Sequence, residues 1–296
     1  MDPFIAALIF LAGLACGSFL NVCISRIPNE VSIIAPRSCC PLCGSAIRWR
    51  DNIPLLSWVR LRGRCRDCGR PISLRYPFVE LLTAVLLVAC YGWFGLTLTM
   101  AKGCVFCFLI VGLIFMDAET GLLPAEFTYP GIALGLLLAW IVPVDAGGTK
   151  LVFWLAGRPA PVSPPALSLM DAAAGVVFGA GFFLVAWGAY YAVRRRDGIG
   201  FGDIALIAMV GAFLGLKLTV LVVFLSPILG TGCVLVWIVL RRRRTAREQR
   251  GDANQSEAAN LLLMTPIPFG VFLGSSALIA QFFGGGIWDW YLGLFR

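Results

Sequence analysis

The sequence predicts an all-α polytopic membrane protein, with about eight transmembrane helices and one cytoplasmic loop resembling a zinc ribbon. Three observations carry this expectation. Of 296 residues, 59% are hydrophobic and 14% charged, with a mean hydropathy of +0.86, whereas a soluble domain carries charge on about a quarter of its residues. The apolar residues gather into runs long enough, at about 1.5 Å rise per residue, to cross a hydrocarbon core of about 30 Å. Only one extended stretch, 25–77, is polar, and it holds two Cys-x-x-Cys pairs. Histidine is absent. That excludes Ser-His and Cys-His dyads and histidine metal ligands, and leaves Asp, Glu, Cys, Lys, Ser or a cofactor to carry chemistry.

The first apolar run, 4–24, has no basic segment before it, only Asp2 in Met1-Asp2-Pro3, and no small-residue cleavage site after it. It reads as a retained helix, not a signal peptide. The polar stretch that follows carries ten arginines (26, 37, 48, 50, 60, 62, 64, 66, 70 and 75), which places it on the cytoplasmic side by the positive-inside rule. Within it Cys40-Pro41-Leu42-Cys43 and Cys65-Arg66-Asp67-Cys68 are each followed by glycine, with 21 residues between the pairs. Doubled knuckles of this kind are a Cys₄ zinc signature. A loop this small has too little core to fold alone, so a metal held by Cys40, Cys43, Cys65 and Cys68 supplies much of its stability. A reducing compartment argues against disulfides. Cys39, next to Cys40, is a competing ligand, and free or redox-active thiols are the alternative. Nucleic acid is not an expected partner, because orientation already explains the basic excess and no aromatic-interleaved patch accompanies it.

Seven further spans are expected at 78–98, 103–117, 127–143, 171–193, 204–216, 218–240 and 267–284. The run 204–240 is too long for one crossing, and Gly215-Leu216-Lys217 marks the break. With the N-terminus outside, the inner face collects nineteen Lys and Arg residues and the outer face keeps Lys102, Lys150, Arg158, Lys217 and Arg296. That asymmetry sets the topology. Cys104 and Cys107 form a third pair without a partner pair, and read as small hydrophobes on a helix face. The outer loop 144–170, with its proline-rich stretch 157–165, reads as a linker. The arginine run 241–250 and the polar 251–260 read as an inner loop beside anionic membrane lipid. The chain thus divides into a first helix (1–24), a cysteine-rich loop (25–77) and a membrane core (78–296).

The candidate chemistry lies in that core. Gly198-Ile199-Gly200-Phe201-Gly202-Asp203 puts one carboxylate at the mouth of an apolar run. Asp203 has two readings, a helix N-cap or a functional ionisable group at a membrane edge. Its partner is Asp117, which closes the third span at the same predicted depth; alone it would read as an interfacial carboxylate. Paired, two carboxylates at close range cannot both ionise, so they share a proton. One then serves as general base on a water and the other as general acid, which is peptide hydrolysis without histidine or metal. Gly200 and Gly202 let a substrate backbone approach closely.

These residues carry a resemblance. Gly17-Ser18-Phe19-Leu20-Asn21-Val22, Arg26-Ile27-Pro28, Asn52-Ile53-Pro54, the doubled knuckles, Arg75-Tyr76-Pro77, Val79-Glu80-Leu81-Leu82, Asp117 with Leu122-Leu123-Pro124, and Gly200-Phe201-Gly202-Asp203 occur in an order that resembles the bacterial type IV prepilin peptidases, membrane aspartic proteases of the GxGD class. The resemblance implies removal of a basic leader from prepilins and pseudopilins at the cytoplasmic face of the inner membrane, with Asp117 and Asp203 as the catalytic pair. Since the cysteine loop is kept, it also implies N-methylation of the new amino terminus with S-adenosylmethionine; no methyl-donor fingerprint is otherwise visible, and the zinc reads as structural. One departure is Ala125 after Leu-Leu-Pro, where relatives often carry an acid; Glu126 follows it. Glu30, Asp51, Asp67, Glu80, Glu119 and Glu126 are candidate contacts for a basic leader. The rival classes are a proton-coupled transporter, which wants midplane polar groups and paired halves, and a non-catalytic scaffold docking through its zinc loop.

Overall fold

A computed structural model of the chain describes residues 1–143, 147–150, 157, 163–195, 200–248 and 268–294. Gly198, Ile199, most of the proline-rich stretch and the polar run 251–260 lie outside the described residues, as do Arg196, Arg250 and the side chains of the arginine run. Eight α-helices are labelled here: α1 Pro3–Arg26, α2 Leu56–Arg60, α3 Arg75–Phe94, α4 Leu98–Thr120, α5 Ala125–Ile141, α6 Pro164–Arg194, α7 Phe201–Glu248 and α8 Phe269–Gly293. Six of them are long and apolar enough to cross a membrane, and α5 is a shorter apolar helix. Since α7 breaks at Gly215, the apolar helical segments among the described residues number eight, as the sequence predicts. The helices begin earlier or end later than the apolar runs, because polar ends continue the backbone ladder beyond the hydrocarbon. Two differences stand out: α8 runs on to Gly293, past the expected 284, and in α6 residues 164–170, expected in a loop, form the first turns behind Pro164 and Pro165, since proline is well placed at a helix start.

Local signals explain the ends. Asp2 accepts the Phe4 amide at 2.8 Å and Pro3 opens α1. Thr97 accepts the Met100 amide at 3.2 Å and opens α4. Where the chain crosses itself closely, small residues meet: a Cβ on Gly13 would stand 2.5 Å from Ala84 Cα, one on Gly17 2.6 Å from Glu80 Cα, and one on Gly211 2.3 Å from the Gly175 carbonyl carbon. This is how membrane helices gain packing where lipid offers no hydrophobic drive. The first half of α7 is the centre of the bundle, packed by α5, α6 and α8, while α1, α3 and α4 form the adjoining group. Leu206, Ile207, Met209 and Val210 are fully buried there, in one apolar cluster with Phe106, Ile110 and Leu273.

The break in α7 is built. Gly215 adopts φ 76°, ψ 177°, a conformation almost confined to glycine, and a Cβ there would stand 2.1 Å from Asp171 Oδ2. Asp171 is fully buried; it accepts the Thr149 amide and hydroxyl at 2.8 and 2.5 Å and the Leu216 amide at 3.1 Å. One carboxylate thus restarts the helix that the glycine interrupts.

The cysteine loop is organised by two knuckles of the same design. Gly44 N–H donates to Cys40 O and Cys40 N–H to Ser45 O; Gly69 N–H donates to Cys65 O and Cys65 N–H to Arg70 O. Single antiparallel bridges, Cys39 to Ala46 and Arg64 to Pro71, flank them. Glu80, buried on α3, accepts the Leu55 amide at 2.8 Å and ties the loop to the bundle.

Candidate active site

Asp117 lies in the last turn of α4, which Gly121 closes by taking φ 65° and returning its N–H to Asp117 O at 2.8 Å. The side chain is buried, 5% exposed. Its Oδ2 accepts the Val271 amide at 3.0 Å, and the Gly270 amide also donates to it. Those amides belong to the first turn of α8, where no intrahelical acceptor exists and the helix dipole favours negative charge. Gly270 is required by contact: a Cβ would stand 2.8 Å from Asp117 Oδ2.

Asp203 sits in the first turn of α7, and its own amide donates to Gly200 O at 3.1 Å. It is not the N-cap. Gly200 holds that place, and the Asp203 carboxylate reaches back to the Gly200 amide, half of a capping box. Gly202 is held by Leu123, whose Cβ lies 2.7 Å from where a glycine Cβ would be; the same leucine's Cδ1 is 3.1 Å from the corresponding point on Gly270. Leu123 therefore wedges between the starts of α7 and α8. The end of α4 and those two starts meet around it, and the Asp117 carboxylate acts electrostatically on Asp203. Asp117, Gly200, Gly202 and Asp203 are brought together.

Gly270 and Val271 are the partners that sequence reading missed. A signal existed: Pro266-Ile267-Pro268-Phe269-Gly270 opens the last apolar run with a rigid entry and a residue small enough for a close approach.

The four knuckle thiols also converge, their sulfurs all within 4.8 Å of one another. Tetrahedral zinc with Zn–S near 2.3 Å needs sulfurs about 3.8 Å apart, and Cys40 Sγ and Cys68 Sγ are at 4.0 Å. The donor set fits a metal ion. Cys39, a competing ligand on sequence, stays in its bridge with Ala46 and outside the cluster. The Ser45 hydroxyl and amide pull the Cys43 thiol down to about 6 and the amides of Cys68 and Asp67 pull Cys65 down as well, whereas at Cys68 the lowering by the Arg70 amide is outweighed by desolvation and the other cluster thiols, which push it up to about 11. Thiolates are the form a metal takes up.

Three of the six candidate leader contacts are already engaged. Glu80 holds Leu55, Asp51 takes Arg66 in a two-pronged pair at 2.7 and 2.5 Å, and Glu119 pairs with Arg75. The Arg66 guanidinium holds the Asp51 carboxyl below its ordinary range. Glu30, Asp67 and Glu126 form no ion pair among the described residues.

Fold and site together define a multi-pass helical membrane protein with a carboxylate pair at one end of its bundle and a four-thiol cluster in an adjoining loop. Residues 11–94 match the bacterial Peptidase A24 N-terminal domain, and residues 103–235 match the type IV leader peptidase family. A prepilin leader peptidase/N-methyltransferase of Myxococcus xanthus is 38% identical over 85% of this chain and 70% of its own. Those of Aeromonas hydrophila and Legionella pneumophila are 35% and 33% identical, covering 97% and 98% of this chain and 93% and 95% of theirs. The chain belongs to the type IV leader peptidase family. No solved structure matches it.

Proposed function

We propose that the protein is a membrane aspartic endopeptidase. It removes the basic leader of type IV prepilins and pseudopilins at the cytoplasmic face of a bacterial inner membrane, then methylates the new amino terminus with S-adenosylmethionine. One observation carries the peptidase reading: Asp117 and Asp203, 86 positions apart, come together at the end of the bundle, where the starts of α7 and α8 meet the end of α4 around Leu123. A prepilin has a basic leader followed by a long apolar helix, so its scissile bond lies where that helix leaves the membrane, level with the pair.

One carboxylate takes a proton from water as the water oxygen attacks the scissile carbonyl. The other gives a proton to the departing nitrogen as the C–N bond breaks. The amides of Gly270 and Val271 orient Asp117 throughout, and Leu123 keeps the two helix starts in register. Cys40, Cys43, Cys65 and Cys68 hold zinc as a structural ion, which ties the two knuckles into one loop. Methylation is read from the names of the relatives together with the retained loop. A transporter is disfavoured because the other carboxylates buried on spanning helices among the described residues are engaged within the fold, Asp171 by Thr149 and Leu216 and Glu80 by the Leu55 amide.

The test is leader removal by the purified full-length protein. Asp117→Asn and Asp203→Asn should each reduce cleavage of a prepilin by about a hundredfold or more, since general acid–base catalysis contributes about 10²–10⁴-fold, while expression and membrane insertion stay normal. Substantial cleavage by either variant would remove the pair from the mechanism.

A further inference from the structure

A second group of thiols lies outside both the aspartate pair and the cysteine loop, in the halves of α3 and α4 far from Asp117. Cys90 of α3 and Cys107 of α4 are fully buried, with their sulfurs 3.8 Å apart. Cys104, also on α4, acts on the Cys90 thiol and on Cys16 of α1. Met100 packs against the same cluster, which Leu87 and Leu278 help to enclose. Sulfur donors from three helices thus gather in one apolar setting. Read from the sequence alone, Cys104 and Cys107 are small hydrophobes on a helix face, and two observations go beyond that.

The first is Gln281 of α8. Its Nε2 donates to Cys90 Sγ at 3.4 Å, to Cys107 Sγ at 3.5 Å and to Gly103 O at 3.4 Å. Sulfur that only fills space needs no amide donor, whereas N–H groups aimed at sulfur favour the thiolate and tune metal–thiolate centres. The second is Lys102. It is 6% exposed, the only lysine or arginine buried among the described residues, and no protein group meets its Nζ. Lys102, Gly103 and Gln281 bound one cavity of about 220 Å³. A buried cation calls for a buried anion, and a metal ion held by two thiolates forms one.

We propose that Cys90 and Cys107 form a binding site for a soft monovalent metal ion of the Cu(I) class, with Cys104 and Met100 as the neighbouring sulfur donors. The donor set selects the ion. Calcium and magnesium take oxygen ligands. Structural zinc takes four ligands in a tetrahedron, as the knuckles provide, while here two sulfurs are in contact and no larger set converges. Soft thiolate and thioether donors suit Cu(I). On binding, two Cu–S bonds form, the two S–H protons leave to water and the copper keeps its oxidation state. The complex carries one negative charge, which the Lys102 ammonium offsets from the cavity wall. That cavity, bounded also by Phe94 and Thr99, is the way in from the end of the bundle where α4 starts.

Cu(I) itself is the probe. Full-length protein carrying its zinc is equilibrated in detergent with Cu(I) buffered by a chromogenic chelator, and bound copper and released zinc are both counted. Wild-type protein should hold about one more Cu(I) per chain than the double variant Cys90→Ala, Cys107→Ala at equal zinc release, since one ion bridges the two thiolates. Cys107→Ser, the replacement nearest to cysteine in shape, should lose the same copper and covers the case in which the double variant does not fold. Zinc content and the thermal midpoint report folding for every variant. Lys102→Met keeps the length of the side chain and removes its charge. It should weaken Cu(I) binding about tenfold or more, as an uncompensated buried charge implies, with zinc content unchanged. Equal copper in wild type and in folded Cys107→Ser overturns the site, as does wild-type protein that takes up copper only in step with zinc loss. An unchanged Cu(I) affinity in Lys102→Met overturns the pairing of the ammonium with the thiolate complex.

Discussion

Asp117 is held by two amides from the far end of the chain, and its orientation depends on them more than on its own helix. Val271 is the third residue of α8, a position whose amide has no helical acceptor, so proline is tolerated there while the donor is lost. Val271→Pro should leave the protein folded and lower kcat for leader removal about ten- to a hundredfold, the equivalent of about 1.5–3 kcal/mol for a hydrogen bond to a charged group. An unchanged kcat would mean that the amide does not position the carboxylate. Asp117 and Asp203 were legible as a pair because two carboxylates at matched depth in a histidine-free membrane chain leave few other candidates. The amides were not, since a backbone donor has no residue type. The N-cap reading of Asp203 missed by three positions, because glycine can hold the cap and leave the acid to reach back.

At the scale of elements, the informative case is α7. Lys217 and the length of the apolar run located the break, and it falls at Gly215. The physical cause lies elsewhere, in Asp171 on α6, which accepts the Leu216 amide left over by the break, and in Thr149, which holds that carboxylate in place. Gly215→Ala brings a Cβ into Asp171 at a backbone conformation that alanine avoids. It should cost at least about 2 kcal/mol, combining strain of about 1–3 kcal/mol with a close contact, read as a lower thermal midpoint in detergent. Combined with Asp171→Ala, the loss should be less than the sum of the two singles, since both act on one contact. Strict additivity would show that Asp171 does not pin the break. By contrast Pro227 sits inside a continuous helix, as membrane helices tolerate proline.

Over the whole molecule, metal content and sidedness are tested in one experiment. Cys39 is exposed and outside the thiol cluster, so on inverted membrane vesicles a membrane-impermeant thiol reagent should reach it at once. The four cluster cysteines should react only after chelation, with release of about one zinc per chain. Intact cells should show no labelling of any of the five. Immediate reaction of the cluster thiols would refute the metal, and labelling in intact cells would refute the cytoplasmic placement of the loop.

The sequence by itself determined the class, the number of apolar segments, the pairing of the knuckles and the two carboxylates. All of these follow from local composition and spacing, which the membrane turns into strong constraints. Hydrocarbon requires each span to satisfy its own backbone, so a run of apolar residues fixes a helix without reference to its neighbours. Only the tertiary structure decided what the ends of those helices do to one another. It brought the start of α8 to Asp117 and put Leu123 between two glycines. It also left Asn21 and Arg75 each with one buried polar atom that no protein group meets. Contacts between distant segments arise when whole helices pack, and no window of the sequence contains both partners.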